Sequence, residues 1–141
     1  MTLKTHLIYA LPIAILMPHG GCNCRCIMCD IWMGNSDRLV LTESDIQGLL
    51  ASFQQLGTRW VVMSGGKALM NPNLFRFCEI LKKEGVRITI LSTGLLLERF
   101  ASNITEQTDE VIVSLDGSQK IHDAIRRVPS GFQRLHEGVM Q

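Results

Sequence analysis

Residues 42–66 read TESDIQGLLASFQQLGTRWVVMSGG, and this stretch decides the fold class. Thr42 places a capping hydroxyl three residues before the carboxylate of Asp45, an arrangement that satisfies orphan N–H groups at a helix start. Ile46, Leu49, Leu50 and Phe53 then continue at helical spacing to Gly57, a residue suited to the left-handed position that closes a helix. Trp60 to Met63 follows as a short apolar run of strand length, bounded by Ser64-Gly65-Gly66. Helix, strand and glycine turn in that order form one step of an α/β alternation.

The alternation extends in both directions. A first strand is expected from Ile13 to Met17, ending at Pro18-His19-Gly20-Gly21. A second helix spans Pro72 to Glu84 with Gly85 closing it, and a third strand runs from Val86 to Leu91. Leu95 to Ala101 reads as a shorter helix, Glu110 to Leu115 as a fourth strand, and His122 to Ile125 as a helical turn. A last helix begins at Ser130, with Phe132, Leu135 and Val139 at near-helical spacing. These are four βα units, the pattern of a parallel sheet. Reactive groups in such folds collect on loops at the C-terminal ends of the strands. That edge carries the cysteines, Ser64-Gly65-Gly66, Ser92-Thr93-Gly94 and Ser114-Leu115-Asp116-Gly117, which points to one site.

With 141 residues, 46% of them hydrophobic, the chain has apolar mass for one core and no more than one domain. Fourteen basic against 13 acidic residues leave a net charge of +1, which gives no footprint for nucleic acid or an anionic membrane. The apolar stretch Leu7 to Met17 is interrupted by Pro12 and falls short of the ~20 residues of a membrane span. No small-x-small cleavage site follows it, so it reads as a buried strand and the chain as cytoplasmic. Four of the five cysteines, Cys22, Cys24, Cys26 and Cys29, fall within eight residues. Crowding of that kind reads as metal ligation in a reducing compartment rather than as a disulfide framework.

The spacing Cys22-x3-Cys26-x2-Cys29 lets three thiolates on one short loop reach three corners of an iron–sulfur cube and leaves the fourth iron open. The alternative is a structural zinc site that recruits Cys24 as a fourth thiolate, although zinc ribbons usually draw their ligands from two separated knuckles. The segment Cys-Asn-Cys-Arg-Cys-Ile-Met-Cys-Asp-Ile-Trp, residues 22–32, resembles the cluster loop of the radical S-adenosylmethionine (SAM) superfamily. That resemblance implies a [4Fe–4S] cluster whose open iron takes the amino and carboxylate groups of SAM. It further implies an enzyme whose reduced cluster cleaves SAM to methionine and a 5′-deoxyadenosyl radical, which abstracts hydrogen from a substrate, a small molecule or a peptide. An external electron donor such as flavodoxin or ferredoxin is implied as well.

The resemblance extends to the other loops. Ser64-Gly65-Gly66 matches the start of the family's Ser-Gly-Gly-Glu-Pro motif, whose bare backbone binds the cofactor's amino group. Lys67 and Ala68 stand where the family usually has Glu and Pro, and an ammonium at Lys67 would repel that amino group. Thr93 falls in the family's polar turn after the third strand. Ser114 opens its Ser-Leu-Asp-Gly, where a hydroxyl reaches the ribose. Arg126 closes His122-Asp123-Ala124-Ile125-Arg126, similar to the family's His-Asp-x-x-Arg, and would face a carboxylate of SAM or substrate. The likeness runs from about Ile13 to Gln141 and covers four of the usual six βα units. It implies a parallel-stranded partial (β/α) barrel, residues 1–141 being a core domain truncated at its C-terminus and a poor catalyst alone. Within the superfamily the motifs look closest to the branch that matures peptides and builds cofactors. A non-catalytic iron–sulfur or zinc module, or an inactive fragment, stands as the alternative.

Several nearby residues have plainer readings. Cys24 is an unassigned thiol, Met28 is either beside the cofactor or generic packing, and Cys78 is core filler in the second helix. Trp32 lines the pocket or braces the loop. His19 sits in the second shell, since a fourth ligand would close the open iron. Asp116 either caps the following turn or touches ligand, and His136 is solvated.

Overall fold

In the computed structural model, which describes residues 7–36, 39–65 and 68–141, the helix that Thr42 opens is α1, Glu43–Leu56. Thr42 caps it through a closed box: the Asp45 N–H donates to Thr42 Oγ1 at 3.2 Å and the Thr42 N–H donates to Asp45 Oδ2 at 2.8 Å. The Thr42 N–H, and after it the Thr42 hydroxyl, which also donates to Asp45 Oδ2 at 2.7 Å, hold the Asp45 carboxyl below the usual aspartate range. The stabilisation is therefore present above the unfolded-state pKa and is lost as the pH falls through the lowered folded value. Gly57, at φ 68°, ends the helix in the left-handed region. Gly48 lies mid-helix with open space where a Cβ would project. Gly48→Ala should therefore stabilise the chain by about 0.5–1 kcal/mol, read as a higher urea midpoint.

Strands β1 (Ile13–Leu16), β2 (Trp60–Met63), β3 (Arg87–Ser92) and β4 (Glu110–Val113) form one parallel sheet in the order β1-β2-β3-β4. After β2 comes α2 (Leu74–Lys83), and after β3 comes α3 (Leu97–Gln107). Two helices, α4 (Gln119–Arg126) and α5 (Gly131–Val139), follow β4. The expected α/β class and the partial (β/α) barrel are what the chain forms. The register Ala14↔Val61↔Ile88 and Leu16↔Met63↔Ile90 sets one row of side chains against the helices. Val61, Met63, Ile88 and Ile90 are wholly buried there with Ile46, Leu74, Phe77 and Leu81. Cys78 belongs to this core, and burial pushes its thiol up to about 12.

The opposite face of the sheet is more open. Ile13, Ile15 and Ile112 are exposed on it, while Trp60 Nε1 donates to Thr89 Oγ1 at 2.8 Å and Thr89 Oγ1 to Glu110 Oε2 at 3.0 Å. Arg87 pairs with Glu110 and lies over the Trp60 ring.

Four elements differ from expectation. The helix expected to stop at Ala101 continues to Gln107, with a kink at Phe100 (φ −115°, ψ 16°) close to the predicted end. The turn expected at His122–Ile125 is a two-turn helix. Two 3-10 turns, Ile31–Ser36 and Ala68–Met70, were not foreseen.

Candidate functional site

The cysteine loop leaves β1 and folds back under the control of residues far away in sequence. Asn71, only 3% exposed, donates from Nδ2 to the carbonyls of Pro18 (2.8 Å) and Leu41 (2.9 Å), drawing the two flanks of the loop together. Its middle is sewn to α4: the Arg25 N–H donates to the Arg126 carbonyl at 3.1 Å and the Ile27 N–H to the Ile125 carbonyl at 3.0 Å. Those are C-terminal carbonyls that the helix itself leaves unpaired. On the β3 side, Thr93 Oγ1 donates to Asn23 Oδ1 at 3.2 Å.

So held, Cys22, Cys26 and Cys29 line one cavity of about 250 Å³ at the C-terminal ends of the strands. Ser64, Gly65, Ser92, Thr93, Ser114 and Arg126 share its wall, and Met17, Met28, Ile31 and Leu91 make it apolar elsewhere. All eight of the described residues expected at the site therefore meet in one place. Gly66 and Lys67, expected beside them, lie outside the described residues. Gly65 turns at φ 91°, a conformation that favours glycine, and a Cβ there would sit 3.6 Å from the His19 carbonyl oxygen. A cavity of similar size, about 230 Å³, lies between the ends of α1 and α2 beside Phe53, Arg59 and Glu84. It gathers no such constellation, so side-chain chemistry and not volume identifies the site.

The fourth clustered thiol packs with the others but does not line this cavity. Cys24 is 1% exposed, its N–H donates to Cys22 Sγ at 3.4 Å and its own thiol donates to Asn23 Oδ1 at 3.8 Å. The side-chain interaction with the neighbouring Cys22 thiol, then burial, pushes the Cys24 thiol far above the ordinary range. Zinc would gather its donors round a single ion, whereas a cube spreads three thiolates over three irons. Among the described residues no three His, Cys, Asp or Glu side chains close on one ion. Trp32 packs against the cysteines, and its Nε1 is buried without a hydrogen-bond partner. An indole donor in that position suits a sulfur-rich neighbour able to accept from it. The donor chemistry and this orphan N–H fit an iron–sulfur cluster.

Arg126 is more constrained than the sequence suggested. Nε and Nη2 bind Asp116 at 2.5 and 2.9 Å, and Nη1 reaches Cys26 Sγ at 3.8 Å. The Asp116 hydrogen bonds are the main reason its guanidinium is held above its ordinary pKa. Asp116, left between a capping and a ligand role, instead pairs with Arg126, and its N–H donates to Nδ1 of buried His122 at 3.4 Å. His19 Nδ1 accepts from the Gly21 N–H at 2.9 Å, and His136 is exposed. Asn71, Asn23 and the Asp116–His122 pair were missed, since polar residues at such separations show no periodicity; only the shared His-Asp-x-x-Arg motif hinted at His122.

Comparison with known proteins agrees with this geometry. The family model of the radical SAM superfamily matches residues 16–139. An AdoMet-dependent heme synthase of Methanosarcina barkeri is 27% identical over 130 residues, covering 85% of this chain and 36% of the relative. A probable GTP 3′,8-cyclase of Methanothermobacter thermautotrophicus is 33% identical over 99 residues, covering 69% of this chain and 32% of the relative. Streptococcus suis SuiB bound to its precursor peptide SuiA superposes with a TM-score of 0.76 at 15% identity, over 97% of this chain and 33% of that one. SuiB bound to S-adenosylmethionine gives 0.69 at 13% identity, over 98% and 33%. These two likenesses speak for the fold. The chain spans about a third of the length of the proteins it matches. Its match across residues 16–139 makes it a member of the radical SAM superfamily.

Proposed function

We propose that this chain is the cofactor-binding part of a radical SAM enzyme, in which Cys22, Cys26 and Cys29 hold a [4Fe–4S] cluster and SAM binds beside it. The convergence of these three thiols with Ser64, Gly65, Thr93, Ser114 and Arg126 on one cavity carries the reading. Cluster and SAM together would supply one-electron cleavage of the sulfonium and a radical able to abstract hydrogen. The protein's own tasks are binding, orientation and exclusion of water. Ser64 and Gly65 present backbone to the cofactor's amino group, while the Thr93 and Ser114 hydroxyls serve its polar edge. Arg126 offers a carboxylate the two N–H groups that Asp116 and Cys26 leave over. Met17, Met28, Ile31 and Leu91 supply the apolar part of the wall. Lys67 stands in the sequence where the family has a carboxylate, and its ammonium would repel the cofactor's own.

For the substrate we favour a small molecule or peptide of the kind handled in cofactor building or peptide maturation, the relative named for heme synthesis supporting the former. Electrons would come from an external flavodoxin or ferredoxin. A cytoplasmic setting suits the clustered thiols, and among the described residues no helix is long and apolar enough to cross a membrane. The test is anaerobic iron and sulfide analysis after reconstitution, with electron paramagnetic resonance of the reduced sample with and without SAM. About four irons per chain and a SAM-dependent spectral change are expected. Stoichiometric zinc without sulfide would make the loop a structural metal site instead.

A further inference from the structure

Cys26 differs from its neighbours in what β4 and α4 bring to it. Arg126 Nη1 points at Cys26 Sγ across 3.8 Å. The guanidinium cannot swing freely, because Asp116 grips its other edge through two hydrogen bonds. Asp116 is fixed in turn: its N–H donates to His122 Nδ1 at 3.4 Å, and His122 is 1% exposed with its ring edge-on to Phe132. The sulfur is equally pinned, since Arg25 and Ile27 on either side of Cys26 donate their N–H groups to the carbonyls of Arg126 and Ile125. Cation and thiol are thus held against each other from both sides. The guanidinium stands between carboxylate and sulfur, so the sulfur faces the positive end of the pair.

We infer that Arg126, oriented by Asp116, is a positioning residue that raises the reduction potential of the cluster through its N–H contact to Cys26. The inference rests on the cluster proposed above. Reduction adds negative charge to the iron–sulfur core and its thiolates. A fixed cationic donor on one thiolate stabilises the reduced state more than the oxidised one. The alternative is that Arg126 only braces the loop, in which case stability and loading would respond to its loss while the potential would not.

The experiment is a potentiometric titration of the reconstituted full chain, followed by electron paramagnetic resonance without SAM, for the parent, Arg126→Leu and Arg126→Gln. Iron and sulfide are counted in each sample. In both variants the midpoint should become more negative. For Arg126→Leu the reduced-to-oxidised ratio at a fixed potential should fall about tenfold, which is about 59 mV for a one-electron couple. Arg126→Gln keeps an amide N–H but no charge, so its shift should be smaller. If Arg126→Leu loads poorly, Arg126→Gln decides the question alone. A loaded variant with the parent's midpoint, or a more positive one, overturns the inference and leaves the cluster reading standing. A parent chain that takes up no sulfide overturns both.

Discussion

Alanine at Cys22, Cys26 or Cys29 should reduce bound iron from about four per chain to less than about one, with loss of the reduced-cluster resonance. Alanine at Cys24 should leave both intact. The contrast follows from where the sulfurs lie. Cys22, Cys26 and Cys29 line the common cavity, whereas Cys24 does not, and its thiol donates to Asn23 Oδ1. A four-thiolate zinc site makes the opposite prediction for Cys24, because each of four ligands would then matter. Anaerobic metal analysis of the four variants separates the two outcomes, and metal loss in Cys24→Ala equal to that in the other three would sink the cluster assignment.

What made these cysteines legible in the sequence also explains what stayed hidden. Their spacing is a local property of one loop, and the strands announce themselves through short apolar runs such as Trp60 to Met63. The reach of α3 beyond Ala101 was masked by Ser102, Asn103 and Thr105, residues of modest helix propensity that tertiary packing of Ile104 overrides. In α4, Lys120 and Asp123 surround the buried His122, so polarity concealed a helix whose purpose is to hold Asp116 and to offer its last carbonyls to the cysteine loop. Asn71 joins residues 53 and 30 positions away. Contacts of that kind depend on the completed fold, and no window on the sequence contains both partners.

The largest loss of stability should come from a site with no charge or side chain at all. Gly94 turns at φ 89°, and a Cβ built on it would lie 2.5 Å from Leu135 Cγ, 2.7 Å from its Cβ and 3.0 Å from its Cα. The leucine side chain could rotate away, but its Cα can retreat only if α5 moves. From the other side, a Cβ on Gly138 would approach Leu97 Cβ to 2.8 Å and the Glu98 nitrogen to 3.1 Å. Two glycines thus let α5 settle onto the β3–α3 turn at nearly backbone distance. Gly94→Ala combines left-handed strain of about 1–2 kcal/mol with overpacking of about 1–3 kcal/mol, so a loss of about 2–5 kcal/mol is expected in urea unfolding. Gly138→Ala, free of the backbone strain, should lose only the overpacking part. The damage should reach the cavity as well, because Thr93, adjacent to Gly94, anchors Asn23 in the cysteine loop. Iron uptake should fall in Gly94→Ala under conditions where the chain is still folded. A Gly94→Ala chain with the parent's urea midpoint would mean that α5 does not sit this close to the turn, and the packing described for this side of the site would have to be abandoned.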